Sequence, residues 1–212
     1  MSWLRFKLIG PFLAALLLIL PLASANAEDW GTPYDKLFAE AADRVKHSKA
    51  KDGTEIREFL TKGSVQIRQE RKDGKVSTGT LDMQHGAVLC FWEIAVTVRA
   101  ALQTCQETNR PKLAARLDTT IGKLNRFIVA NALEKPTMAQ MQSAIDARMD
   151  RFRQSQAAPQ TGRVSCAKSG QKALAFFNSY LTDVAKKSDD DYQAGIDKLL
   201  SVPRLPSMNP CL

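Results

Sequence analysis

The sequence predicts a mainly α protein, a disulfide-stapled bundle of about five or six helices with one small β-hairpin at 64–82. Three observations carry this. Apolar residues recur at steps of three and four in two long segments, 112–133 and 137–152. The segment 87–106 is apolar nearly all round, which marks a buried central helix. Four cysteines are scattered along the chain with no Cys-x-x-Cys pair, and in an exported protein that pattern predicts two disulfides.

The first element is not part of the fold. Arg5 and Lys7 are followed by an apolar run from Leu8 to Leu22, and Ala25-Asn26-Ala27 satisfies the small-x-small rule for signal peptidase. Residues 1–27 therefore read as a cleaved signal peptide. The rival is an uncleaved anchor helix, but the apolar run is shorter than the roughly 20 residues a spanning helix needs. Residues 28–212 then form a single, mainly helical domain, soluble and located in the periplasm or secreted, with no stable membrane span after cleavage.

Thr32-Pro33-Tyr34-Asp35 resembles a helix start, and Leu37, Phe38, Ala41, Ala42 and Val45 follow at helical spacing, which predicts a helix over 33–49. Lys51-Asp52-Gly53 ends it. Thr54 to Leu60 reads as a further short helix. Val65 and Ile67 alternate with polar residues, Lys72-Asp73-Gly74-Lys75 is a turn, and Val76 to Leu81 tolerates β structure. Asp-Gly between two such runs is the hairpin signal; a frayed helix across Val65–Arg71 is the competing reading.

The central helix over 87–106 carries Trp92, Val96 and Leu102 among its apolar residues. The next helix bears a stripe of Leu113, Leu117, Ile121, Leu124 and Ile128. Thr137-Met-Ala-Gln140 is a capping box, and behind it run Met138, Met141, Ile145, Met149 and Phe152. Gln154 to Arg163 reads as a loop, and a helix from Ser165 carries Leu174, Phe177 and Tyr180. Ser188-Asp-Asp-Asp191 caps a last helix through Leu200. Pro203, Pro206 and Pro210 hold the tail 202–212 extended.

Helix geometry constrains the cysteines. Cys90 and Cys105 on one helix lie roughly 22 Å apart at about 1.5 Å per residue, and a disulfide needs Cα atoms within about 7 Å. Each must therefore reach Cys166 or Cys211. An up-down chain trace favours Cys105–Cys166 with Cys90–Cys211, and the crossed alternative stays open. These bonds read as stability staples.

Catalytic signals are few. Ser169-Gly-Gln-Lys172 matches Ser-x-x-Lys, but the Ser-x-Asn and Lys-Thr-Gly elements of that site are absent. Glu93 and Arg99 interrupt the apolar helix and are the candidate functional charges; an edge position or an ion pair to a neighbouring helix is the favoured explanation of both. His85 and Met83 with Met138 and Met141 form a conceivable soft-metal set, although methionine at helical spacing is more often core filling. No metal and no cofactor are expected. Net charge is +8, but charges alternate in sign along most segments, so nucleic-acid binding is not expected.

The resulting expectation is an exported protein-interaction, inhibitory or adaptor module without a catalytic motif, acting on another envelope or periplasmic protein through a helical face or the 51–86 segment. Two alternatives stand beside it. One is a small-ligand or lipid-binding bundle with Phe91, Trp92, Phe176, Phe177 and Tyr180 around a cavity. The other is a cell-envelope enzyme using Glu93. The balance favours a protein that is not an enzyme.

Overall fold

The computed structural model describes residues 29–104, 111–157, 182–184 and 186–211. The fold is mixed α and β: helices pack beside a four-stranded antiparallel sheet of order β1-β2-β3-β4. This corrects the mainly α expectation. The hairpin expected at 64–82 is half of a larger sheet.

The sheet contains β1 (Lys46–Lys49), β2 (Glu55–Leu60), β3 (Val65–Lys72) and β4 (Lys75–Asp82). The helix expected over 33–49 is only α1, Asp35–Glu40, followed by a 3₁₀ turn at Ala42–Arg44. Leu37, Phe38, Ala41 and Val45 do share one core, with Phe59 and Ile67, but they reach it from a helix, a turn and the entry to a strand. Helical spacing over so short a run does not require one helix. Lys51-Asp52-Gly53 is a hairpin turn: Gly53 takes φ +85°, and the Asp52 side chain accepts the Thr54 N–H at 3.1 Å. The expected helix at 54–60 is strand β2, paired with β1 and β3.

The β3–β4 turn has positive φ at both Asp73 (51°) and Gly74 (73°), the type I′ geometry that suits a right-twisted hairpin. Its register, Lys72↔Lys75 through Val65↔Asp82, puts Val65, Ile67, Gln69, Thr80 and Asp82 on the packed face. The opposite face presents Glu58, Arg68, Glu70 and Lys72, with Arg68 reaching both Glu70 (2.9 Å) and Glu58 (3.5 Å).

The helical half is α2 (Val88–Thr104), α3 (Pro111–Asn131), α4 (Met138–Ala157) and α5 (Asp189–Leu199). Val88, Ala95, Val96 and Ala101 of α2 are buried against Leu113, Leu117 and Leu124 of α3, with Met141 and Ile145 of α4 completing that core. The expected capping box of α4 is formed: Gln140 N–H donates to Thr137 Oγ1 (3.2 Å) and Thr137 N–H donates to Gln140 Oε1 (2.7 Å). The α5 cap is Ser188, whose hydroxyl oxygen accepts the Asp191 N–H. Helix α4 continues through Ala157, into the segment expected as a loop from Gln154; the helix expected from Ser165 lies, apart from 182–184 and 186–187, outside the described residues.

Two buried arginines tie the elements together, Arg57 within the sheet half and Arg204 between the sheet and the helices. Arg57 on β2 reads as a surface residue but is fully buried under α1. It is ion-paired to Asp35, donates to Gln69 Oε1 (2.9 and 2.6 Å) and lies over the rings of Trp30 and Phe38, at 4.3 and 4.1 Å. Arg204 in the tail is ion-paired to Asp82 at the end of β4, with side-chain exposures of 1% and 0%. It also donates at 3.0 Å to the carbonyls of Leu199, Val202 and Gly86.

Candidate functional site: the open edge of the sheet and its C-terminal strap

The strap is the tail itself. Cys211 is disulfide-bonded to Cys90 near the start of α2, with Cα atoms 5.4 Å apart. Leu89 N–H donates to Ser207 O at 2.8 Å, so the tail also satisfies one of the free amides in the first turn of α2. Asn209 then pairs in parallel with Leu81 on β4. Cys105 and Cys166 lie outside the described residues.

The backbone geometry of β4 follows from its turn. Lys72 and Lys75 flank a two-residue turn, so they form a hydrogen-bonded pair, and pairs along the ladder then alternate. Lys75, Ser77, Gly79 and Leu81 direct their N–H and C=O groups to β3. Val76, Thr78, Thr80 and Asp82 direct theirs outward. The strap takes up the far end of this outward row: Asp82 N–H donates to Asn209 O (2.9 Å), Asn209 N–H donates to Thr80 O (3.1 Å), and Met208 N–H donates to Thr80 Oγ1 (3.1 Å). Beside Val76 and Thr78 the edge is open, with no backbone partner among the described residues. Ser77, Thr78 and Gly79 are exposed and uncharged. The far edge of the sheet differs, because β1 is Lys-His-Ser-Lys and wholly exposed.

Electrostatics lock the scaffold beneath this edge. Burial acts to raise the pKa of Asp82. Hydrogen bonds from the His85 and Gln84 N–H groups and from Arg204 outweigh burial, and the net effect is a lowered pKa. Asp35 behaves alike: burial acts upward, but bonds from Thr32 N–H and Arg57 hold its carboxyl well below the ordinary carboxylate range. Both carboxylates are charged and held in place, as structural anions are.

A concave feature of about 430 Å³ opens where α1, the β2–β3 turn, the end of α3 and the strap meet. Its wall mixes apolar Leu37, Phe59 and Leu205 with Glu40, Arg44 and Lys62. Its rim thus carries charges of both signs, Glu40 against Arg44 and Lys62.

The residues singled out from sequence are dispersed. Glu93 accepts from Arg148 Nε of α4 at 2.6 Å, and Arg99 Nε donates to Asp118 of α3 at 2.7 Å. His85 follows β4, with its backbone N–H on Asp82. Met141 is buried in the helical core, whereas Met83 is 74% exposed. No group of three or more metal-binding His, Cys, Asp or Glu occurs among the described residues. Trp92 is buried, donating from Nε1 to Asn125 at 2.7 Å under the Arg148 guanidinium, and Phe91 is half-buried against the same core. Ser169, Lys172, Phe176, Phe177 and Tyr180 lie outside the described residues. No described helix is long and apolar enough to cross a membrane.

Sequence reasoning missed Arg57, Asp82 and Arg204, because single charged residues give no sign of burial. It also missed the open edge, although the uncharged run Val76-Ser-Thr-Gly-Thr80 was a visible signal. Comparisons of the chain with protein-family models, curated proteins and solved structures return no match.

Proposed function

We propose that this is an exported, disulfide-bonded interaction protein that engages another envelope or periplasmic protein through the sheet at 46–82, as an adaptor or inhibitor. The observation that carries the reading is the β4 edge, uncharged from Val76 to Thr80 and open at Val76 and Thr78 among the described residues, on a braced scaffold. Natural sheets usually blunt such edges with charge, proline or cover. Export to the periplasm or outside the cell is supported by the composition of residues 1–27 and by the Cys90–Cys211 bond, since disulfides persist in oxidising compartments.

The test uses a photo-crosslinking amino acid at Ser77, on the edge strand, or at Ser143, on the exposed face of α4. Each protein is irradiated in envelope extract. A discrete adduct from Ser77 and none from Ser143 supports the reading. Adducts from Ser143 alone would move the interaction to the helical face. In the same preparation, a mature N-terminus at Glu28 supports the export assignment. A second reading, a small-ligand protein, is favoured by the groove between α1 and the strap; a co-purifying small molecule lost on Phe59→Ala would select it.

A further inference from the structure

We infer that the partner docks by strand addition, laying an extended segment of uncharged β-branched residues along Lys75–Gly79 of β4, with a carboxylate beside Lys75. This rests on the interaction reading above and specifies how it works.

Four observations point to it. The outward N–H and C=O groups of Val76 and Thr78 form a ready-made half-ladder, since main-chain groups supply the affinity in strand addition. The edge already accepts a main-chain bridge, because Asn209 bonds to Thr80 and Asp82 immediately beyond the open stretch. The competing edge, β1, carries Lys46, His47 and Lys49, which disfavour edge-to-edge pairing. Lys75 is exposed and has no ion-pair partner among the described residues, so an acidic residue opposite it gains a cross-strand partner.

The strap also blocks a second copy of this chain from pairing antiparallel about Thr78. Two β4 strands paired antiparallel about Thr78 would set Thr80–Asp82 of each copy beside Gly74–Val76 of the other. That flank of Thr80–Asp82 is already filled by Met208–Pro210 of its own chain. With that pairing blocked, the occupant we infer is a separate segment, one per chain.

The test is amide hydrogen exchange on the full, oxidised, ¹⁵N-labelled protein with an acetylated peptide, Glu-Thr-Val-Thr-Val-Thr, as the probe. A second peptide of the same sequence is N-methylated at the alternate amides that would face β4. At saturation, exchange at Val76 and Thr78 should slow about tenfold, amides on α3 and α4 should be unchanged, and the methylated peptide should have no effect. Unchanged exchange at Val76 and Thr78, or equal protection by the methylated peptide, would overturn strand addition. So would a protein that dimerises alone with these two amides protected. A Ser77 crosslink without amide protection would leave the interaction reading standing and remove this inference. Protection without any crosslink in extract would do the reverse.

Discussion

Replacing Arg204 with methionine should cost about 3–5 kcal/mol, the usual penalty for removing one member of a buried ion pair. The structure explains why the cost should be at the full value. Methionine follows much of the arginine stem, so little packing volume is lost. What disappears is the Asp82 partner and the donors to three carbonyls, those of Leu199, Val202 and Gly86. Asp82 retains only the Gln84 and His85 N–H groups, at 3.0 and 2.9 Å. With a urea m-value of about 2 kcal/mol/M, the unfolding midpoint should fall by about 2 M. That is a large fraction of the stability of an ordinary domain, about 5–15 kcal/mol. The assay is equilibrium urea unfolding of the oxidised protein followed by tryptophan fluorescence, with Asp82→Asn and the double variant alongside. The double variant should cost less than the sum of the singles, with a coupling of about 0.5–3 kcal/mol. A loss below about 1 kcal/mol for Arg204→Met, or strict additivity, would refute the pairing as the clamp that holds the strap.

Other consequences follow from the same contacts. Asp35 and Asp82 have lowered native pKa values, so each stabilises the fold above the unfolded carboxylate value, and that contribution is lost as pH falls through the native value; urea midpoints should drop on acidification, with a shallower slope in Arg204→Met. Reducing Cys90–Cys211 should lower stability by about 2–5 kcal/mol, and a thermal melt unchanged by reductant would contradict this. Asn125→Ala strands the buried Trp92 N–H, for about 1–3 kcal/mol, seen as a lowered unfolding midpoint and altered indole fluorescence. Val76→Pro removes only an outward N–H and should be tolerated within about 1 kcal/mol, whereas Ser77→Pro breaks a bond to β3 and should cost about 3 kcal/mol; equal costs would show that the register is wrong.

The helical half was legible because its signals are local. Leu113, Leu117, Ile121, Leu124 and Ile128 repeat over several turns, and both the Thr137–Gln140 box and the Ser188 cap involve residues within one turn. The same holds for the Asp73-Gly74 turn, whose two positive φ values select those residue types. Strands β1 and β2 were not legible. Lys46–Lys49 is exposed throughout and has no polarity pattern. In Glu55–Leu60 the residue that should report the buried face is Arg57, a charge made burial-tolerant by groups such as Asp35, Gln69, Trp30 and Phe38, which approach it from elsewhere in the chain.

The same division runs through the candidate site. By itself the sequence determined the helices with long periodic stripes, their caps, the tight turn, and an uncharged β-tolerant stretch at 76–80. Only the tertiary structure decided that this stretch is an edge, that among the described residues its outward amides at Val76 and Thr78 are open, and that the tail closes the rest. Those properties depend on which strands pair and where residues 204–211 return, and such long-range contacts are set by burial of Asp82 with Arg204 and closure of Cys90 with Cys211, more than a hundred residues apart in each case.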